Sequence, residues 1–186
     1  MDGFDVLEEK VLKTDICCGC GACAGSCPIN VLEFRFNEVG EYRPYLVGEC
    51  KPCSLCVRVC PMLEANHDVD YLAQKRFGPS PNIEFLPETG FFDNCFAGSA
   101  PDPEIRLGGS SGGILTWLLG QLLDSGEIDF VVTSVPNKDP NELFRYGVVD
   151  NSADLRKCSK SAYYPLEMSQ VLKTIRAVDG RYAVVG

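Results

Sequence analysis

The sequence predicts an α+β protein built from a cysteine-bound N-terminal module followed by a partial α/β domain. Three observations lead there. Nine of the eleven cysteines fall between Cys17 and Cys60. A β-hairpin pattern separates them into two runs. After residue 108, apolar helix and strand patterns alternate.

The cysteine runs come first. Cys17-x2-Cys20-x2-Cys23-x3-Cys27-Pro28 and Cys50-x2-Cys53-x2-Cys56-x3-Cys60-Pro61 repeat one spacing. Three thiolates two residues apart can wrap one four-iron cubane in a tight turn. The fourth, carried one helical turn on, points elsewhere and in two-cluster ferredoxins ligates the other cluster. The spacing therefore predicts a bacterial-ferredoxin-like module with two [4Fe-4S] clusters. Cys17, Cys20, Cys23 and Cys60 would hold one, and Cys50, Cys53, Cys56 and Cys27 the other. Small residues Gly19, Gly21, Ala22, Ala24 and Gly25 let backbone amides approach the sulfides and tune the potential. Zinc is the alternative, but two zinc sites leave the third cysteine and the C-x3-C-P tail without a purpose. A disulfide framework fits worse, because the count is odd and no export signal precedes it. Cys18, Cys95 and Cys158 fall outside both runs and read as isolated thiols. His67, the sole histidine, reads as a solvated side chain.

Between the runs, Val31 to Phe36 and Tyr42 to Val47 flank Asn37-Glu38-Val39-Gly40-Glu41, a hairpin with glycine in its turn. Its apolar side chains would shield the clusters. Residues 63–107, with prolines at 79, 81, 87, 101 and 103, read as a connector packed through Phe91, Phe92 and Phe96. The expected domains are thus 1–62, the connector 63–107, and 108–186.

In the last segment, Gly108 to Gly113 opens a helix carrying Ile114, Leu115, Trp117, Leu118, Leu119, Leu122 and Leu123. Ser110 or Ser111 is the expected cap, with Gly126 the left-handed residue past its end. On pattern alone the glycine–serine loop is either a turn with a cap or a phosphate site at a helix N-terminus. Phe130 to Val135, Phe144 to Val149 and Tyr182 to Val185 are strand patterns, and Leu166 to Ile175 has helical spacing. Some parallel pairing is expected. Gly186 directly follows the last strand pattern, whereas buried parallel strands normally run on into a covering helix. A truncated chain, or one piece of a longer protein, is the expectation.

Composition narrows the functional classes. A formal charge of −9 repels phosphate backbones, so nucleic acid is not an expected partner. No run of about 18 apolar residues occurs, so no membrane span is expected. Met1 to Asp15 is mixed and acidic, unlike a signal peptide, which points to a cytoplasmic protein.

The chain also resembles the family of coenzyme F-420 hydrogenase/dehydrogenase beta subunits. The resemblance rests on the paired cysteine runs, Phe92 to Gly98, Arg106, and Gly109-Ser110-Ser111-Gly112-Gly113-Ile114-Leu115-Thr116. It extends through Leu122 to Asp129, Lys160-Ser161-Ala162-Tyr163-Tyr164-Pro165 and Tyr182 to Gly186. The family usually has Lys where this chain has Ala162. The resemblance implies an iron–sulfur flavoprotein, an oxidoreductase in its full-length form, that binds FAD. Electrons would pass between clusters, flavin and a hydride carrier such as coenzyme F-420. It places Gly109, Ser110, Ser111, Gly112, Gly113, Lys160, Ser161 and Tyr163 at the flavin. It assigns no catalytic residue. The partner implied is a redox protein or the missing C-terminal half. The competing expectation is a non-enzymatic, ferredoxin-like electron-transfer subunit docking on a separate catalytic chain, a role that an acidic surface suits.

Overall fold

The computed structural model describes residues 3–63 and 68–185; His67 lies outside them. The architecture is mixed α and β, with three small sheets among the described residues.

The N-terminus is helical, which composition did not suggest. Helix α1 (Gly3–Leu7) runs into a π-helical turn at Glu8–Leu12. Phe4, Leu7 and Val11 stand on one face and are buried, Val11 at 1% exposure. They pack with Cys23, Cys27, Cys56 and Cys60 in one core. Burying these three side chains contributes roughly 1.5–3 kcal/mol each, so an acidic stretch becomes a lid over the cysteines.

Short helices α2 (Ala22–Gly25) and α3 (Leu55–Arg58) carry the third cysteine of each run, Cys23 and Cys56. Between them lies the expected hairpin, β1 (Leu32–Phe36) and β2 (Tyr42–Leu46), paired antiparallel from Leu32↔Leu46 to Phe36↔Tyr42. The Asn37 side chain accepts from Val39 N and Glu41 N and closes the turn. Arg43 on β2 ties the hairpin to the first cysteine run. Its guanidinium donates to Cys17 O at 3.0 Å and pairs with Asp15 and Glu41, both at 2.9 Å.

The connector has structure of its own. Asp68 caps α4 (Val69–Phe77), and a small hairpin follows, β3 (Glu84–Leu86) with β4 (Gly90–Phe92). Phe77 and Phe85 both pack on Phe91, so its aromatics pack with one another. Phe96, expected to help, is 91% exposed. Helix α5 (Pro103–Gly108) starts on Asp102, whose carboxylate accepts from Glu104 N at 2.8 Å.

Helix α6 (Ile114–Asp124) starts later than the sequence suggests, and neither serine caps it. Gly112 and Gly113 both adopt left-handed backbone, φ 72° and 70°, ahead of Ile114. That turn is open to glycine and strained for other residues, and it carries Ser110 away from the helix. Gly126 closes the other end as expected, at φ 69°. Strands β5 (Phe130–Pro136), β6 (Phe144–Val149) and β7 (Tyr182–Val184) form a sheet of order β6-β5-β7. Strand β5 pairs antiparallel with β6 and parallel with β7. Its Val131 and Val132 are fully buried. Helices α7 (Ser152–Lys157) and α8 (Ser169–Ala177) connect β6 to β7. Helix α8 begins three residues after the expected Leu166, where the Glu167 carboxylate accepts from Ser169 N and Oγ.

The entry to β7 is fixed by one clamp. Arg181 donates to Asp129 from its backbone N–H and from its guanidinium, and to Gly126 O at 2.6 Å. The Arg181 side chain, then its backbone N–H, holds the Asp129 carboxyl down to about 2. A lowered carboxyl stabilises the fold above its ordinary range and loses that contribution as pH falls toward 2. Arg181→Ala should therefore speed amide exchange at Asp129 and Phe130, whose N–H groups donate to Arg181 O. Exchange in β1 should be unchanged, and the wild-type advantage should vanish in acid.

Candidate metal centre and adjoining cavity

The eight run cysteines divide between two narrow, apolar-walled cavities. Cys17, Cys18, Cys20, Cys23 and Cys60 line the first, under Leu7 and Val11. Cys27, Cys50, Cys53 and Cys56 line the second, with Phe4, Ile29 and Val31. The fourth cysteine of each run thus lies with the first three of the other. One-turn helices α2 and α3 produce the exchange by carrying each chain past its own cavity. Cys23, Cys27, Cys56 and Cys60 are buried, whereas Cys53 is exposed. No disulfide links the cysteines.

Burial governs the chemistry of these thiols. It is the largest influence on Cys20 and Cys56, each pushed up to about 11, and it raises Cys23 and Cys60 as well. Without a cation such thiols keep their protons, so binding metal as thiolates must release them. Among the described residues, no three His, Cys, Asp or Glu form a group that could hold a single metal ion. Thiolates around one tetrahedral zinc, each ~2.3 Å from it, would crowd within ~4 Å of one another. Each space is instead lined by the three leading cysteines of one run and the last of the other, the division that the cysteine spacing predicts for two cubanes.

The first cavity abuts the C-terminal unit. Cys20 O accepts from Met168 N at 3.0 Å, and Gly25 O accepts from Arg176 at 3.1 Å. A Cβ on Gly25 would lie 2.8 Å from Leu172 Cβ. Half-buried Glu167 sits over Gly21, its carboxyl raised by burial against the lowering effect of its two bonds from Ser169. Nearby, buried Tyr42 donates to Glu142 at 2.6 Å and stacks on Phe36.

Beyond this seam lies a cavity of about 380 Å³ between α6, β5, β6 and the 158–166 segment. Two hydroxyl contacts stitch its mouth. Ser110 Oγ accepts from Ser161 N at 3.1 Å, and Ser159 Oγ lies 3.2 Å from Gly108 O. Lys160, between them, is held at φ 87° and supplies the cationic group of the lining. Ser110, Lys160, Ser161 and Tyr163 all line this cavity, as do Cys158 and Leu166. Gly109, Ser111, Gly112 and Gly113 are not in its lining. Gly112 turns the other way, its carbonyl accepting from Ala100 N.

Comparison with known proteins agrees with this division. The 4Fe-4S dicluster domain matches residues 9–61. The N-terminal region of the coenzyme F-420 hydrogenase/dehydrogenase beta subunit matches residues 95–173. The chain thus joins a 4Fe-4S dicluster domain to the N-terminal region of that beta subunit. It is 26% identical, over 96% of its length, to a coenzyme F-420-dependent sulfite reductase of Methanocaldococcus jannaschii, covering 24% of that protein. It is 23% identical, over 95% of its length, to one of the subunits of the F(420)H(2) dehydrogenase of Methanosarcina mazei, covering 47% of it. An uncharacterised ferredoxin of M. jannaschii is 36% identical over 53 residues, 28% of this chain and 69% of that one. The chain spans between about a quarter and half of the length of its larger curated relatives.

The seam is the feature that sequence reasoning missed. Leu166 lines the large cavity, Met168 bonds the Cys20 loop, and Ser169 is buried between them. Nothing in residues 166–169 announces a partner 148 positions upstream. Its one readable trace is Gly21, held at φ 78°, where a Cβ would strike the Glu167 carboxylate and lie 2.7 Å from Ser169 N. Gly21→Ala should cost roughly 1–3 kcal/mol through backbone strain and the clash. Thermal unfolding should fall accordingly, and protease should cut first near residues 165–169.

Proposed function

We propose that this chain is the iron–sulfur electron-transfer portion of an oxidoreductase related to the coenzyme F-420-dependent enzymes. Two [4Fe-4S] clusters occupy its cysteine cavities, and FAD occupies the cavity of about 380 Å³. Clusters carry one electron at a time, and a flavin exchanges single electrons with them and hydride with a two-electron carrier. The observation that carries the reading is the Leu166–Ser169 seam, one short segment shared by the first cysteine loop and the large cavity.

The residues divide the work accordingly. Cys17, Cys20, Cys23 and Cys60 hold the cluster on the flavin side. Cys27, Cys50, Cys53 and Cys56 hold the outer one, where exposed Cys53 faces a redox partner. Phe4, Leu7 and Val11 keep water from both. At the flavin, Ser110 and Ser161 offer hydroxyls and Lys160 an ammonium suited to phosphate or ring oxygens. Tyr163, 98% exposed, stands at the rim where a second carrier would approach. The cavity lies within the size range of cofactor pockets. The hydride carrier is coenzyme F-420 or a chemical equivalent, by kinship with the named relatives.

Anaerobic protein reconstituted with iron, sulfide and FAD should hold about eight irons per chain, as two cubanes require, and one flavin. About eight irons without flavin would favour the ferredoxin-like subunit serving a separate catalytic chain. Ligand exchange is tested separately by Cys27→Ala, read by alkylation and mass spectrometry. Cys50, Cys53 and Cys56 should become reactive while Cys17, Cys20, Cys23 and Cys60 stay shielded. Exposure of the first run instead would contradict the ligand sets. Removing the Lys160 charge, in Lys160→Ala, should weaken FAD retention about tenfold, the equivalent of one charge-assisted contact.

A further inference from the structure

We propose that Cys18 is a reserve ligand of the first cluster site, able to take the place of Cys20 on iron. The proposal rests on reading that cavity as a four-iron site. Spacing alone makes Cys18 surplus, since the run is complete with Cys17, Cys20 and Cys23. The fold nevertheless gives the first cavity five cysteines and the second four.

The course of the backbone brings Cys18 to the site. It lines the cavity beside the four assigned ligands. Extended backbone would send the neighbours Cys17 and Cys18 to opposite sides. Both nevertheless line this cavity, just ahead of the left-handed turn at Gly19, φ 71° and close to Tyr42 O. Of the cysteines outside the spacing pattern, Cys95 lines neither cysteine cavity and Cys158 lines the large one.

The exchange is redox-neutral. The Cys18 thiol gives its proton to water and its sulfur bonds to iron. The iron–sulfur bond to Cys20 breaks, and the departing thiolate takes up a proton. Cys18 is exposed and the other four are intermediate or buried, so the reserve thiol stands on the solvent side. The first site would thus keep a fourth thiol when Cys20 is removed, which the second, with four cysteines, cannot.

The test compares wild type, Cys18→Ala, Cys20→Ala and the double variant after anaerobic reconstitution. Iron and sulfide are counted, and Cys18 reactivity toward iodoacetamide is read by mass spectrometry. Wild type, Cys18→Ala and Cys20→Ala should each hold about eight irons and the double variant about four, the content of one cubane. Cys18 should be alkylated in wild type and shielded in Cys20→Ala until iron is chelated away. The proposal is overturned if Cys20→Ala falls to about four irons or fails to fold. It is also overturned if the double variant keeps eight or Cys18 stays reactive in Cys20→Ala. A wild type holding about four irons or none would instead overturn the two-cluster reading on which the proposal rests.

Discussion

The exchange of Cys27 and Cys60 between cavities is the constraint on which the N-terminal half depends. Each cavity takes three cysteines from one run and one from the other, so neither can close until both runs and the hairpin between them are in place. This half has little other core. Its buried apolar cluster is Cys23, Cys27, Cys56 and Cys60, the lid of Phe4, Leu7 and Val11, and Ala24 and Leu32. A small module with so few large apolar side chains is marginal alone, and metal–thiolate bonds supply folding energy where apolar burial falls short. The raised thiols express the same fact: buried cysteines gain stability as thiolates only when a cation joins them.

The second constraint is the seam between the halves. Gly21 and Gly25 lack side chains where α8 and the Glu167 loop approach, and Met168 and Arg176 donate to backbone carbonyls of the first run. Backbone-to-backbone docking of this kind leaves little slack. It sets the first cavity against the structure that builds the larger cavity, while the second cavity stays toward solvent beside Cys53 and Lys51. Under the proposed function, order along an electron path would follow from packing, without any side chain dedicated to conduction.

Legibility in the sequence varied with the range of the interactions. The hairpin was readable because Leu32 to Phe36 and Tyr42 to Leu46 bracket an asparagine–glycine turn, all local signals. The strands β5 and β6 were readable for the same reason, as short stretches rich in apolar and β-branched residues. The gathering of thiols 23 to 43 residues apart into one cavity was readable only because the spacing is a metal-ligand rule. The lid helix was passed over: Phe4, Leu7 and Val11 have helical spacing but sit in an acidic segment. The start of α6 was misplaced because two left-handed glycines outweigh a serine's capping preference. At the large cavity, Ser110, Lys160, Ser161 and Tyr163 came from kinship and do line it. Leu166, Tyr146 and Cys158 carry no local mark, since what brings them there is the sheet. Cys18 looked like a spare thiol because spacing counts positions and cannot see which cavity a thiol lines.

Electron capacity tests the central claim most directly. Reductive titration of the anaerobic protein, reconstituted with iron, sulfide and FAD, should consume about four electron equivalents per chain. One reduces each cluster and two reduce the flavin. Cluster and flavin absorbance should bleach in the same titration, because the two sites exchange electrons across the seam. Uptake of about two equivalents with the flavin still oxidised would contradict the relay and leave a cluster protein that serves another chain.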